Sequence, residues 1–160
     1  MKKKKINVKR PRSKKGDDKS LEIDENDTDI VKQIKQQWVD FSNKTVDMST
    51  LHPNGTWSAT SQGGLWALQS PKEVKSQIEG SPNTFNFRPH HIEVTIVGKN
   101  KDVAYTNYYL VGNITGPGGK LIAQNYRTRA SGTLVKKGGK WVGVGQHFSP
   151  LYGGSGVIFD

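Results

Sequence analysis

The feature that most constrains this chain is the run 120–151, KLIAQNYRTRASGTLVKKGGKWVGVGQHFSPL. Two stretches suited to extended backbone flank Lys137-Gly138-Gly139-Lys140, a two-glycine reversal. The pattern predicts two long antiparallel strands, with Trp141 opening the second and His147-Phe148-Ser149-Pro150 closing it. Arg127, Arg129 and His147, side chains able to do chemistry, sit on these strands among small and apolar neighbours.

Upstream of this pair the hydrophobic period is also two. Over 87–97, Ile92, Val94 and Ile96 alternate with His91, Glu93 and Thr95, and 104–114 is rich in Tyr, Val and Leu. Gly116-Pro117-Gly118-Gly119 reads as a turn between strands. Four long antiparallel strands therefore fill the second half of the chain.

The first half is helical in pattern. Ile30, Val31, Ile34, Trp38 and Phe41 fall on one face at a 3.6 period, with Asp27 or Thr28 placed to cap and Asp29 favourable at the positive end of the dipole. This helix is expected to end near Lys44, with a second, short helix over about 45–51. His52-Pro53-Asn54-Gly55 is turn chemistry, and 56–59 and 64–68 read as short extended segments. Ser70-Pro71-Lys72-Glu73 is a strong start signal for a third helix: a capping Ser, Pro at the first helical position and Glu three residues after Ser. It is expected to run to about Glu79. Helices followed by a run of strands is the α+β order, with helices on one face of a strongly bent sheet.

Charge decides how the ends are read. The formal net charge of +10 belongs mostly to residues 1–19, where ten Lys or Arg against two Asp give +8; the rest of the chain carries 14 basic and 12 acidic residues, or +2. The sequence divides into a disordered basic arm (1–20), a folded domain (21–152) and a Gly-rich tail (153–160). The arm reads either as a solubilising tail or as a tether for nucleic acid or another acidic partner. Its two basic clusters resemble a nuclear-import signal, if the cell has a nucleus.

With no cysteine, disulfides and thiolate metal sites are excluded. No apolar run approaches the ~18 residues of a membrane helix, and no apolar segment follows the basic N-terminus as in a secretory signal. A cytoplasmic protein is the expectation, with no membrane span. His90 and His91 are adjacent on a strand and diverge, so no metal site and no cofactor is expected.

Arg129-x-Ser131-x-Thr133-Leu134-Val135, followed by Gly139-Lys140-Trp141-Val142 and His147-Phe148-Ser149-Pro150-Leu151, resembles the C-terminal hairpin of the nuclear transport factor two-like superfamily. More narrowly it resembles the SnoaL-like and ketosteroid-isomerase-like branch, including the association domain of calcium/calmodulin-dependent kinases. The resemblance spans about 27–151. It implies a cone-shaped, curved, mainly antiparallel (mixed) sheet wrapped around a long N-terminal helix, the cystatin-like α+β roll. It also implies a pocket at the open end of the cone and dimerisation through the outer face of the sheet.

Candidate site residues follow from chemistry and from the cone. His147 reads either as a general base or as a hydrogen-bonded rim histidine. Arg127 and Arg129 share one face of their strand; they form either a clamp for an anionic ligand or a solvated basic stripe. Trp57, Trp66, Tyr108 and Tyr109 are candidate pocket walls or core. Tyr108 and Tyr109 must face opposite sides. Isomerase-like and dehydratase-like members use a carboxylate as base, alone or with histidine. Here Asp40 and Asp47 are the acids nearest the cone mouth, Asp40 is expected to face solvent, and Asp47 with His147 is the remaining catalytic pair. Three functions are therefore expected in turn. The first is a dimeric domain that binds a small molecule without a complete catalytic constellation. The second is an isomerase, dehydratase or hydrolase using His147 with Asp47 or Tyr108. The third is an interaction module tethered by its basic arm.

Overall fold

Trp38 shows why the chain folds as it does. The computed structural model describes residues 25–61 and 64–151, the first four as backbone only. The expected basic arm and Gly-rich tail lie outside those residues. Helix α1 (Glu25–Ser42) lays Ile30, Ile34 and Trp38, all buried, onto the sheet. The Trp38 indole meets Phe41, Phe87 and Phe148 edge-on, with centroids 5.2, 5.8 and 5.8 Å away. Its Nε1–H donates to the Tyr108 hydroxyl at 3.1 Å. One residue thus joins helix and sheet by apolar area and by a satisfied polar group, and truncating it to Ala would cost about 3–5 kcal/mol.

The helix already runs at Glu25, so Asp27 and Thr28 lie inside it instead of capping it. It stops at Ser42, two residues short of the expected end. Lys44 turns the chain at φ 58°, and its Nζ donates to the Ser81 carbonyl at 2.7 Å. The expected second helix is only a 3-10 turn, Met48–Thr50, capped by the Asp47 carboxylate, which accepts from the Ser49 N–H. Strands β1 (Thr56–Ala59) and β2 (Ala67–Gln69) follow, then helix α2 (Pro71–Glu79). The start signal of α2 is realised in full: Ser70 and Glu73 exchange hydrogen bonds as a capping box. Bonds from the Ser70 hydroxyl and N–H hold the Glu73 carboxyl below its usual range.

Four long strands complete the chain: β3 (Thr84–Val97), β4 (Val103–Thr115), β5 (Leu121–Lys137) and β6 (Lys140–Pro150). The sheet order is β2-β1-β6-β5-β4-β3, with β1 parallel to β6 and every other neighbour antiparallel. The sheet is mixed, and α1 covers its inner face. Phe87, Leu110, Ile114, Ala130, Leu134 and Trp141 supply that face of the core. The architecture is the α+β cone.

Bulges set which side chains point inward. Between β4 and β5 the register passes from Ile114↔Ala123 to Gly112↔Tyr126, so Gln124 and Asn125 together oppose Asn113. Asn125 takes φ 52°, and its N–H donates to Asn113 Oδ1 at 3.0 Å. An extra residue moves every later side chain to the other face. Tyr126, Thr128 and Ala130 therefore point inward, and Arg127 and Arg129 point outward. Thr128 is fully buried, with its hydroxyl on the Ser149 carbonyl at 2.7 Å.

Candidate functional site: a cavity between helix and sheet

A cavity of about 530 Å³ runs along α1, between that helix, the inner face of the sheet, α2 and the 45–51 segment. Its walls are mostly apolar: Trp38, Phe41, Phe87, Leu110 and Phe148 on one side, and Val74 and Ile78 of α2 on the other. Such a volume with such walls is the usual shape of a small-molecule site. Polar groups also line it, among them Asp29, Asp40, Asp47 and Lys140. Gln33, Gln36 and Gln37 project from α1, Gln146 from β6, and Tyr126 and Ser61 meet deep between the rings.

The Tyr126–Ser61 pair has a traceable origin. Phe87, Gly112 and Tyr126 form one row across β3, β4 and β5. A Cβ on Gly112 would lie 2.0 Å from the Asn86 carbonyl oxygen and 2.6 Å from Phe87. Glycine there lets the Phe87 and Tyr126 rings close to 5.3 Å. The Tyr126 hydroxyl then shares a hydrogen bond with the buried Ser61 hydroxyl. Burial pushes the Tyr126 phenol upward, against a smaller lowering by the Thr128 hydroxyl, so it stays neutral at ordinary pH. Each hydroxyl can donate or accept, so the pair is a polar anchor among the rings.

The expected site residues are distributed as follows. Asp47 lines the cavity at its mouth, its carboxylate occupied by the Ser49 N–H. Asp40, expected to face solvent, is half-buried and lines the same mouth, accepting from Gln36 Nε2 at 2.8 Å. His147 lies between two cavity residues, Gln146 and Phe148, and so projects from the opposite face; it is exposed, with its ring 5.6 Å from that of Trp66. The structure does not bring His147 together with Asp47 or with inward-facing Tyr108. Tyr108 is buried beside Trp38, and desolvation pushes its phenol up to about 12, the Trp38 hydrogen bond acting weakly the other way. Trp57 and Trp66 are 49% and 56% exposed, outside the cavity. Arg127 and Arg129 are exposed on the outer face, with Arg129 Nη2 donating to the Pro150 carbonyl at 3.1 Å.

Tyr126, Ser61 and the α1 glutamines were not singled out from sequence. Tyr126 had a signal: it is in phase with Ala130 and Leu134, whose small and apolar side chains mark an inward face. Ser61 had none, since it lies in a turn. Among the described residues no group of three or more His, Asp or Glu is placed to hold a metal ion. None of their helices is long and apolar enough to cross a membrane.

A curved sheet closing over one long helix, with the cavity between them, is the nuclear transport factor two-like fold. Among solved structures the chain is similar to the association domain of calcium/calmodulin-dependent kinase II from C. elegans. The TM-score is 0.59 at 20% identity, over 78% of this chain and 95% of that one. It is also similar to the kinase II hub homology domain of Chlamydomonas reinhardtii (TM-score 0.60, 12% identity, 78% and 96% covered). A third is a nuclear transport factor two-like protein from Pseudomonas putida (TM-score 0.56, 16% identity, 76% and 84% covered). No protein-family model matches the sequence, and no curated protein matches it significantly.

Proposed function

We propose that this domain binds a small, neutral, largely apolar ring compound in the cavity along α1. The observation that carries this reading is the aromatic-walled volume of about 530 Å³ with the Tyr126–Ser61 hydroxyl pair inside it. Ring faces on Trp38, Phe41, Phe87 and Phe148 favour a flat apolar partner. The hydroxyl pair, able to donate as well as accept, suits one with a single polar group such as a carbonyl. An anionic ligand has less support, because the arginines that would hold it lie on the other side of the sheet. A catalytic role for His147 with Asp47 or Tyr108 has less support for the same geometric reason.

Matched probes test the reading. Titration of 2-acetylnaphthalene, followed by quenching of Trp fluorescence, is expected to saturate, and 2-naphthoate is expected to bind more weakly. Tyr126→Phe should weaken the acetyl compound about tenfold, the scale of one lost buried hydrogen bond. No saturable binding by either probe would sink the proposal.

A second reading concerns self-association. Trp57 and Leu68 face each other across β1 and β2 and are both about half exposed, beside exposed Trp66. Apolar side chains grouped in this way suit a protein partner. We infer a second copy of this chain, by analogy with the association domains that share the fold. Sedimentation equilibrium should show a dimer or larger assembly, and Trp57→Lys should dissociate it. A monomer at the highest workable concentration would remove this reading.

A further inference from the structure

The outer face of β3, β4 and β5 carries a cationic array that the cavity does not use. Arg88, Val111 and Arg127 form one row across the three strands, and His90, Tyr109 and Arg129 form the next. All six point away from the core. Arg88, His90, Arg127 and Arg129 are exposed, and Tyr109 is 44% exposed. The His91 ring meets Tyr109 edge-on at 6.1 Å. Among the described residues no ion pair engages Arg88, Arg127 or Arg129. The nearest acid along this face is Glu93, opposite Asn107, one row beyond Tyr109.

The spacing is that of a sheet: about 6.6 Å between rows along a strand and about 10 Å between Arg88 and Arg127. Three guanidiniums thus flank an accessible aromatic ring on a surface that no helix of the described residues covers. Their like charges oppose the pairing of two copies through this face that the family resemblance implies. The charge selects a polyanion, and the ring selects one with flat, unstacked faces to lie on it. Duplexes keep their bases stacked and offer only phosphates to such a surface; single strands offer both. We propose that the outer face of β3–β5 binds single-stranded nucleic acid, with Arg88, Arg127 and Arg129 on phosphates and Tyr109 beneath a base. The site is separate from the cavity and does not depend on its ligand. The sequence adds +8 over residues 1–19 of the same chain, which raises the local concentration of any polyanion without selecting among them.

The test uses the full chain and a fluorescein-labelled 12-nucleotide oligo(U), read by anisotropy across a salt series. Replacing Arg88, Arg127 and Arg129 together by Gln should lower the slope of log K against log salt by about 2, since each phosphate contact on a single strand contributes about 0.7. Tyr109→Ala should weaken binding about tenfold while Tyr109→Phe keeps it, the expected result for base stacking. Melting followed by circular dichroism confirms that these surface variants stay folded. Three outcomes overturn the proposal. One is absence of binding by the parent chain. Another is a slope and affinity unchanged in all variants, which would assign binding to the basic arm. The third is equal or tighter binding of a duplex with no effect of Tyr109→Ala, which would mark a generic polyanion surface.

Discussion

Strand β5 has two faces with opposite chemistry. Tyr126, Thr128 and Ala130, none of them charged, point inward into the cavity and core. Arg127 and Arg129, one residue out of phase, point outward beside Tyr109. The inner face gains its specificity from burial, which keeps phenols neutral and makes each hydrogen bond count. The outer face keeps its charges because water solvates them, and whatever it contributes to folding is small. One strand therefore separates an aromatic-walled cavity from a cationic surface, and a bulge decides which residue goes where.

The sharpest way to break this comparison is to put a charge on the wrong side. Ala130→Arg would bury an unpaired guanidinium and should cost more than about 4 kcal/mol, enough to leave the chain unfolded in a denaturant titration. Next in size is alkaline pH. Tyr108 is pushed up to about 12 in the folded state, against 10.0 ordinarily, so the folded chain holds its proton where the unfolded chain loses it. Its contribution is complete below pH 10 and is lost as pH rises toward 12. That amounts to about 3 kcal/mol by linkage. Chemical denaturation at pH 9 and 11.5 should show the loss, and Tyr108→Phe should reduce it.

Gly112→Ala, between the cavity residues Phe87 and Tyr126, sharpens the comparison. Its methyl would press on the Asn86 backbone and the Phe87 ring, costing about 1–3 kcal/mol of overpacking and weakening ring ligands more than stability alone predicts. Denaturation midpoints and probe titration together check it. The smallest effect belongs outside. Arg127→Ala should change stability by less than about 0.5 kcal/mol, measured by thermal melting.

Much of the architecture was legible in the residues. The period of 3.6 through Ile30, Ile34 and Trp38, the Ser70–Glu73 capping pair and the alternation of the later strands gave the elements and their order. The cone followed from the family likeness of the last hairpin, and its neighbours among solved structures share it. Inward and outward were harder. Alternation carried from one end of β5 to the other mispredicts a face, because Gln124 and Asn125 oppose a single residue. The bulge depends on a bond from the Asn125 N–H to the Asn113 side-chain oxygen, which no period reveals. The cavity's Tyr126 was legible only from its phase with Ala130 and Leu134. Ser61 was not legible at all, since a serine in a turn has no pattern that separates it from other turn residues. His147 was conspicuous as chemistry, yet Gln146 and Phe148 take the inward positions on either side of it.

The parallel pairing of β1 with β6 has a consequence for how the chain is made. Residues 57–59 pair on one side with nearby β2, but on the other side with residues 145–147, almost ninety positions later. The meander β3–β6 can form from contacts close in sequence, but β1 and β2 have no sheet to join until the ribosome has delivered the last strand. Such distant pairing slows folding and leaves strand edges open meanwhile. The exposed Trp57–Leu68 pair would then be presented to other chains during synthesis, before the sheet that carries it is complete.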